Sequence, residues 1–467
     1  NMGWKNGPAV LATCPFYDEN GWLPAKTHGF SSQMFEYDGS NNFEFEYGYN
    51  EGYRVNVQLR PGEVMTRNWS NKGLQVDMDL GSGPGCLNGV IGQGDLEYSR
   101  GLGDLANGRV GNGTIVYTVP LADAGLRDAA LEYANLGTQQ EDGQAPTLHV
   151  KTAGQPGTFV LRMASPYVYL GGSIELAGTV AKGGSVKVSF SRNNGEDWHD
   201  IGGVTAAGDF KTTLDLKPLL YRLYDYRLKF ELNGVGTGLS ALTIAEDMQH
   251  SQRALPALGQ GSNTITFSAE PQEGTIAVEA HVGNKTKGNQ LLLTEFHPQM
   301  EGVKQDEGAL WMGDSGKGQI TIPVTTPGVI THVRFGTHYR ARSDKDQWAY
   351  ELSFDGGKTW TTVDTVTGPT PATCKYDDFS QVPKGSRQVL VRFAGEQRNT
   401  LGIFDLSIHV DYIEPHGGFR PVQVTYLWTE NGQEKKDVHV AKKPNETYTI
   451  TCAGKPTMKS LIVELAK

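Results

Sequence analysis

Hydrophobic and polar residues alternate along most of the chain, in short segments separated by glycine-containing turns. Apolar and polar side chains alternate strictly in Phe35–Gly39, Phe43–Tyr47 and Tyr53–Leu59, and further strand-like segments occur at Gln388–Phe393 and Ile403–Tyr412. Because successive side chains of a strand point to opposite faces, this period predicts strands with one buried face. Segments of this kind recur at intervals of roughly 8–12 residues, which predicts an all-β protein of several antiparallel β-sandwich domains in tandem.

Changes in this pattern divide the chain into four predicted domains. These are an aromatic- and glycine-rich β domain (1–160), an immunoglobulin- or fibronectin-like sandwich (161–248), a jelly-roll-like sandwich (249–415) and a small C-terminal β domain (416–467). The second boundary follows from residues 245–262, where the alternation breaks. The last domain is too short to bury much surface alone, so we expect it to pack on its neighbour or to complete a sheet.

Two stretches of the first predicted domain lack the strand pattern. Residues 81–113 hold many glycines and little periodicity, which predicts a long loop that is either functional or mobile. Residues Leu121–Leu136 are the one place where the sequence predicts a short helix.

Composition and charge narrow the function classes. The 467 residues include 59 glycines and 22 prolines, as expected for short strands joined by turns. Net charge is −10 and lysines and arginines form no basic cluster, so we expect no nucleic-acid partner. No apolar run approaches the ~18 residues that a membrane-spanning helix needs. The chain begins Asn1-Met-Gly-Trp, without a signal peptide, and we expect either a processed terminus or a piece of a longer protein.

The four cysteines are Cys14, Cys86, Cys374 and Cys452. An even number in a glycine-rich β protein fits two disulfides, and the simplest connectivity pairs 14 with 86 and 374 with 452. Three connectivities exist, and four buried free thiols are the alternative. Disulfides would place the protein outside the cytoplasm, and we expect a secreted or cell-surface protein of a bacterium.

Two segments share the pattern Ser-x-Asp/Asn-x-Gly-x-x-Trp, at Ser191–Trp198 and at Ser353–Trp360. The side-chain oxygen of the Asp or Asn suits acceptance of backbone N–H groups across a turn, and glycine supplies the positive φ. Both segments resemble the Asp-box hairpin of sialidases and of many secreted β-sandwich modules. A propeller would need a repeat every 40–50 residues or so, and only two copies occur. We therefore predict structural hairpins built on Asn193, Gly195, Trp198, Asp355, Gly357 and Trp360.

Aromatic residues are more frequent in the first and third predicted domains than small sandwich cores need. Aromatic rings beside polar side chains bind sugars by stacking and hydrogen bonding. Packing in the core explains the same residues. The candidate carbohydrate-binding residues are Trp22, Tyr49, Trp69, Trp311, Tyr339 and Trp348.

Candidate metal and catalytic residues are few. Asp18–Gly21 and Asp38–Asn42 place acidic and amide oxygens in glycine-containing loops, which suits Ca²⁺, although ordinary Asx-turns are the favoured explanation of both. We expect no cofactor, with a structural calcium ion as the open alternative. The chain has no His-x-His, His-Glu-x-x-His or Gly-x-Ser-x-Gly motif. The histidines that lie near strands are expected in the core or on the surface: His332, His338, His409 and His416.

A wider resemblance rests on five segments in this order: Arg60–Glu63, Arg109–Tyr117, Ser165–Val168, Ala254–Leu258 and Val424–Gly432. They resemble the β-rich C-terminal part of large secreted bacterial proteins, some of which carry an upstream transglutaminase-like domain. The resemblance implies that any catalytic thiol lies outside this chain and that the chain itself is a scaffold or adhesion part.

Two functional hypotheses follow. The first is a non-catalytic secreted protein with a structural, adhesive or assembly role in the cell envelope or extracellular matrix, self-associating through sheet edges. The second is a polysaccharide-binding protein or a polysaccharide lyase or hydrolase. The paired carboxylates of a glycosidase cannot be identified from sequence spacing.

Overall fold

The fold is nearly all β, with antiparallel strands and, within the described residues, three short helices, which confirms the predicted class. It is seen in a computed structural model that describes residues 59–70, 110–123, 125–165, 167–220, 223, 225–251, 255–269, 273–281, 296–306, 309–313, 316–398 and 400–466, with short strands at 17–18, 21–22, 75–78 and 96–99. None of the helices in these ranges combines the length and the apolar character that crossing a bilayer demands.

The strands are β1 (Tyr17–Asp18), β2 (Gly21–Trp22), β3 (Glu63–Asn68), β4 (Gln75–Met78), β5 (Leu96–Ser99), β6 (Val110–Thr118), β7 (Ala130–Ala134), β8 (Leu136–Thr138), β9 (Leu148–Val150), β10 (Gly157–Ala164), β11 (Val168–Val180), β12 (Ser185–Ser191), β13 (His199–Val204), β14 (Gly208–Asp215), β15 (Asp225–Asn233), β16 (Gly238–Ser251), β17 (Gly261–Ser268), β18 (Glu273–His281), β19 (Gln299–Glu301), β20 (Val303–Asp306), β21 (Ala309–Met312), β22 (Lys317–Thr325), β23 (Ile330–Ala341), β24 (Gln347–Ser353), β25 (Thr361–Thr367), β26 (Thr370–Phe379), β27 (Gln388–Glu396), β28 (Leu401–Ile413), β29 (Val422–Glu430), β30 (Gln433–Ala441), β31 (Asn445–Cys452) and β32 (Thr457–Leu465). The helices are α1 (Gly125–Ala129), α2 (Gln139–Asp142) and α3 (Lys217–Leu220).

The chain forms two compact units. Unit A contains Val57–Asp77, Leu96–Pro271 and Gly418–Lys467, and unit B is described mainly over Gln272–Gly417. Each unit has its own hydrophobic core. The finer division into four domains remains a prediction.

Unit A packs two sheets face to face. One has the order β13-β12-β15-β10-β7, and the other runs β14-β11-β16-β6-β3-β32-β29-β30, with β9 also paired to β16. Tyr169 of β11 and Tyr226 of β15 meet edge to face between the sheets, with ring centroids 5.6 Å apart. The C-terminal strands β29, β30 and β32 complete the larger sheet, because β32 pairs with β3 from Val64↔Glu464 to Asn68↔Ser460.

The helix predicted over Leu121–Leu136 is present only in part. Helix α1 ends at Ala129, and the next five residues form β7, which pairs with β10 through Tyr133↔Phe159. Pairing with the edge of a sheet outweighs the helix propensity of this alanine- and leucine-rich stretch.

Unit B is a sandwich of two antiparallel sheets. One has the order β20-β21-β28-β23-β26 with β18 also paired to β28, and the other has the order β19-β22-β27-β24-β25. Aromatic residues from both sheets meet in the core: Phe335 of β23 lies 6.0 Å from Phe393 of β27, and Tyr350 of β24 contacts Phe393 edge to face at 5.0 Å.

The first of these sheets has a second face, directed away from the core and here called the outer face. On β23, Val333, Phe335 and Tyr339 belong to the core. Strand side chains alternate between faces, so Arg334 and Arg340 point the other way. On β28 the core residues are Leu401 and Ile403 before a register shift, and Leu406, Ile408 and Val410 after it. The outer face therefore holds Gly402 and Phe404 on one side of the shift and Ser407, His409 and Asp411 on the other.

Candidate functional site

The structure separates the six candidate sugar-binding aromatics. Tyr49 and the side chain of Trp22 lie outside the described residues. Trp69 of unit A is half-buried, and its backbone N–H donates to the Lys459 carbonyl at 2.9 Å. Trp311 of unit B is half-buried on the outer face. Trp69 and Trp311 are thus the two described candidates that retain accessible ring surface.

Tyr339 and Trp348 correct the expectation of exposed aromatics. Trp348 is 0 % exposed and Tyr339 is 5 % exposed, and both belong to the core of unit B. The Trp348 ring packs against Gly395 of the neighbouring strand. The Tyr339 hydroxyl donates to the Thr367 carbonyl at 3.3 Å, and burial raises the pKa of Tyr339. Neither ring has a free face on which a sugar could stack.

Trp311 belongs to a row of residues that crosses four strands of the outer face. The register pairs Lys304 of β20 with Trp311 of β21, Trp311 with Gly402 of β28, and Gly402 with Arg340 of β23. Directly opposed residues of antiparallel strands share a face. We call Lys304, Trp311, Gly402 and Arg340 the aromatic row. The sequence patterns above did not identify its two cations or its glycine.

Gly402 gives the aromatic row its shape. A β-carbon at this position would lie 2.6 Å from the Trp311 ring, closer than any real side chain tolerates. Glycine therefore lets the indole lie across the neighbouring strand. Phe404, two residues along β28, meets Trp311 edge to face with centroids 5.9 Å apart. The result is a half-buried platform of two rings at the sheet surface.

Arg340 lies beside both rings of this platform. Its guanidinium carbon is 5.0 Å from the Trp311 centroid and 5.7 Å from that of Phe404. Burial lowers the pKa of Arg340, and the nearby charge of Arg342 lowers it further. The Nε–H of Arg340 is buried and has no hydrogen-bond acceptor among the described residues. The Arg340 side chain as a whole is half-buried, so its guanidinium is partly desolvated but still reaches the surface of the sheet.

Polar residues on the rest of the outer face are buried and bonded to one another. Asp411 accepts two hydrogen bonds from Arg334, at 2.7 and 3.0 Å, and one from the Thr275 hydroxyl at 2.6 Å. The Ser407 hydroxyl and His409 Nε2 lie 2.6 Å apart. These side chains are between 1 and 8 % exposed. They fix the sheet that carries the aromatic row and are not themselves open to a ligand.

The histidines singled out from sequence take different positions. His409 is buried in the pair just described, His332 is half-buried and His416 is exposed, while the His338 side chain lies outside the described residues. The described residues contain no cluster of histidine, cysteine, aspartate and glutamate suited to a metal ion. The calcium candidates Asp18–Gly21 and Asp38–Asn42 have no described side chains.

The two Ser-x-Asp/Asn-x-Gly-x-x-Trp segments form turns of the same design. Ser353 Oγ accepts the Gly357 N–H, and Asp355 Oδ1 accepts the Lys358 and Thr359 N–H groups, all at 2.9–3.0 Å. Side-chain and backbone hydrogen bonds from Thr359 lower the pKa of Asp355 to about 2. The other turn repeats two of these bonds, from the Gly195 N–H to Ser191 Oγ and from the Asp197 N–H to Asn193 Oδ1.

Each turn ends on a tryptophan covered by a cation. Lys229 Nζ lies 4.6 Å from the Trp198 centroid, and the Arg392 guanidinium lies 3.6 Å from that of Trp360. The Trp360 Nε1–H donates to the Gly357 carbonyl at 3.1 Å. Both tryptophans therefore brace their own turns, which is a structural role.

Removing the serine hydroxyl tests that role. Ser353→Ala leaves the Gly357 N–H without its acceptor, so we expect the free energy of unfolding to fall by about 1–2 kcal/mol. Urea unfolding measures the change. Ser343→Ala is the control, because Ser343 is less buried and its hydroxyl accepts one exposed bond from the Lys345 N–H. Equal losses in the two variants would contradict the bracing role.

A buried acid in unit A was not foreseen from sequence. Glu246 of β16 is 1 % exposed, and its Oε1 accepts a hydrogen bond from the Tyr226 hydroxyl at 2.8 Å. Burial raises the pKa of Glu246 to about 8, against the opposing effect of that hydrogen bond. Nearby, Arg60 donates to Glu63 at 2.7 Å and lies 4.0 Å above the Tyr117 ring. The group is an internal polar cluster of a folded core.

A cavity that adjoins this cluster, lined by described residues, is small. Glu63, Arg420 and Glu464 line a volume of about 190 Å³ in unit A. Pockets that hold small molecules usually measure ~300–1,000 Å³. This cavity is therefore too small for an oligosaccharide.

The predicted disulfide of Cys452 is absent. Cys452 is a buried free thiol, and burial raises its pKa. The residue opposite it in the β17–β31 ladder is Gly261, and Asn263 Nδ2 lies 3.9 Å from Sγ. No cysteine among the described residues faces it, so this structure does not form the 374–452 pairing. Cys14, Cys86 and the Cys374 side chain lie outside the described residues.

Comparison with known proteins gives distant similarities only. No protein-family model and no curated protein matches the chain. Among solved structures, allantoicase from Saccharomyces cerevisiae is 9 % identical with a TM-score of 0.19, over 63 % of this chain and 93 % of that one. The CBM22-1–CBM22-2 tandem domain of Paenibacillus barcinonensis Xyn10C is 13 % identical with a TM-score of 0.23, over 59 % and 90 %.

A third structure contains the CBM32-1 and CBM32-2 domains of Clostridium perfringens ZmpB in complex with GalNAc. It is 10 % identical with a TM-score of 0.15, over 63 % of this chain and 96 % of that one. At these values the similarities carry no argument about function, which has to come from the residues themselves.

Proposed function

We propose that this protein is a non-catalytic, extracellular β-sandwich protein that binds polysaccharide through the aromatic row of unit B. The observation that carries the proposal is Trp311, a half-buried indole laid across Gly402 on a sheet surface, with cationic side chains on either side. Attachment to glycan would give the protein an adhesive role in a cell envelope or extracellular matrix. A scaffold or adhesion role is also what the resemblance to secreted bacterial proteins implies.

The rigidity of this surface supports binding. The indole is held by Phe404, Gly402 and Arg340, and the sheet beneath it is fixed by the buried Arg334–Asp411 pair. A ring fixed in advance loses little conformational entropy when a ligand stacks on it. Flat aromatic surfaces with adjacent hydrogen-bond donors are suited to the apolar face and hydroxyl groups of a pyranose.

Self-association through sheet edges receives no comparable support. Strand β30 ends the larger sheet of unit A, and its residues 434–437 are all charged and mostly exposed. Lys459 pairs with Glu434 beside this edge. Charged edge strands oppose pairing with a second chain. The assembly role stays a prediction of the sequence.

Trp311→Ala tests the proposal. A tryptophan at the centre of a binding surface typically contributes ~2 kcal/mol or more, so we expect about 30-fold weaker binding. Affinity electrophoresis through gels containing soluble polysaccharides, followed by calorimetry on those retained, measures it.

Trp360→Ala is the matched control. Trp360 is also half-buried and also lies beneath an arginine in unit B, but it sits on the other sheet. We expect this variant to bind as the unmodified protein does. Unchanged binding by Trp311→Ala, or retention of the unmodified protein by none of a broad polysaccharide panel, would refute the proposal.

A further inference from the structure

Arginines that lie over aromatic rings follow a rule in this protein. Within the described residues, Arg60 over Tyr117 is paired with Glu63, Arg127 over Tyr133 with Glu141, and Arg392 over Trp360 with Glu351, each at 2.7 Å. In each case a glutamate neutralises the cation. Such pairs satisfy the hydrogen-bond donors of the guanidinium and also neutralise its charge.

Arg340 is the exception. It lies over Trp311 and Phe404, and no carboxylate in the described part of the chain comes within ion-pair distance of it. Its neighbour Arg342 is exposed and likewise unpaired there. The nearby carboxylate of Asp346 is fully buried, and it accepts the backbone N–H groups of Arg342 and Thr400 instead. Among the described residues, Arg340 and Arg342 are therefore two neighbouring cations without a carboxylate partner.

Lys304 adds a third cation at the opposite end of the aromatic row. It is exposed, and it is the direct cross-strand neighbour of Trp311. The Arg340 backbone lies two strands beyond that of Trp311, roughly 10 Å away at the usual strand spacing, and its guanidinium carbon reaches to 5.0 Å from the ring centroid. The indole thus has a positive charge on each side. The net charge of −10 belongs to the whole chain, and charges beyond ~8 Å are screened at physiological ionic strength.

We propose that the ligand of the aromatic row is an acidic polysaccharide, with one sugar ring on Trp311 and an anionic group of the same or the next sugar bound by Arg340. This inference rests on the proposed polysaccharide-binding function and adds the charge of the ligand to it. The fork of the Arg340 guanidinium matches the two oxygens of a carboxylate or a sulfate, and Lys304 binds a second anionic group as a point charge. The ligand supplies the counter-ion that glutamates supply to Arg60, Arg127 and Arg392.

Single-stranded nucleic acid is the other polymer that combines flat rings with negative charge. Its binding proteins use a basic groove that follows several successive phosphates. Here three cations surround one platform in a chain of net charge −10. This arrangement favours a polymer with sparser charge, and a glycan meets that condition.

The experiment compares matched polysaccharides by calorimetry at low and physiological salt. The probes are a polyuronate, a sulfated glycan, the neutral polymer with the same backbone, and a single-stranded oligonucleotide. We expect the acidic glycan to bind at least tenfold more tightly than the neutral one, with an affinity that falls as salt rises. The uronate and sulfate arms distinguish the two sources of the anionic group.

Variants assign the charge preference to residues. Arg340→Gln is expected to remove most of the tenfold preference, and Arg340→Lys to restore part of it, because lysine keeps the charge without the fork. Lys304→Gln alters an exposed side chain and should reduce the salt dependence without affecting folding. Arg392→Gln, which removes the paired arginine over Trp360, is the matched control and should leave the preference unchanged.

The outcomes separate this inference from the proposed function. Equal affinity for neutral and acidic polymers, or a preference that survives in Arg340→Gln and Lys304→Gln, overturns the acidic ligand while polysaccharide binding stands. Tighter binding of the oligonucleotide than of any glycan overturns it in favour of nucleic acid. Binding to none of the four probes overturns both proposals.

Discussion

Replacing Arg334 with leucine is expected to lower the free energy of unfolding of unit B by about 3–5 kcal/mol. Arg334 is 2 % exposed and Asp411 is 1 % exposed, and the two are joined by hydrogen bonds at 2.7 and 3.0 Å. Removing the guanidinium leaves Asp411 buried with the Thr275 hydroxyl as its remaining described donor. An uncompensated buried carboxylate is far more costly than the pair itself is stabilising.

The double variant Arg334→Leu/Asp411→Leu separates these two effects. Because it removes both charges, we expect it to recover most of the loss. Lys317→Met is the control within the same unit, since Lys317 and Glu396 are 3.6 Å apart and the lysine side chain is 71 % exposed. Exposed pairs contribute ~0–1 kcal/mol.

Native-state hydrogen exchange of the β23 and β28 amides reports on unit B without interference from unit A. If the free energy of unfolding of unit B fell no more in Arg334→Leu than in Lys317→Met, Asp411 would have to be solvated once its partner is removed.

The alternation of apolar residues was sufficient to predict the fold class, because a strand that buries one face has apolar residues at every second position of its sequence. It failed at residues 130–134, where pairing of β7 with β10 decides the structure. That pairing joins residues about 25 positions apart and leaves no local signal. Sheet partners and sheet order therefore come from the structure alone.

The parity of positions along each strand also indicates which tryptophans are buried in the core. Trp348 shares its parity with Tyr350 and Leu352, so all three enter the core. Trp311 lies between Leu310 and Met312, which are buried, so its ring must face the other side of β21. Reading exposure from parity rather than from residue type would have separated the candidate platform from the core aromatic.

No comparable sequence pattern identifies the cations of the aromatic row. Lys304, Trp311, Gly402 and Arg340 come from four strands, and their alignment depends on register across three separate pairings. The lack of a described carboxylate within ion-pair distance of Arg340 is likewise a property of packing. A sequence with 52 acidic residues gives no hint of which arginine lacks a partner.

Glu246 lies at a core parity of its strand, between Ile244 and Met248 at two-residue spacing, and this burial has a measurable consequence. Its pKa is raised from 4.5 to about 8. Between these values the unfolded chain has lost the proton and the folded protein retains it. Unfolding then releases a proton, so the free energy of unfolding falls as pH rises from about 4.5 to about 8, and it levels off above that range.

Each pH unit within this window lowers stability by ~1.4 kcal/mol, which amounts to about 3–5 kcal/mol over the whole window. Glu246→Gln abolishes the titration but keeps an acceptor for the Tyr226 hydroxyl. We therefore expect the variant to be less sensitive to pH than the unmodified protein, and more stable than it at pH 9. Urea unfolding at each pH from 5 to 9, taken as the difference between the two proteins, removes the contribution of every other titrating group.

Glu175→Gln is the matched control, because Glu175 is an exposed residue of β11 in the same unit. The difference in the free energy of unfolding between Glu175→Gln and the unmodified protein should stay constant over the pH range. If the Glu246→Gln difference were also constant, Glu246 would have to ionise in the folded state as readily as in the unfolded chain. Water or a cation would then have to reach the carboxyl between the sheets. The change of that difference with pH therefore measures how far water is excluded from the core of unit A around Glu246. Among the described residues, Glu246 is the one acid of this unit whose pKa is strongly raised.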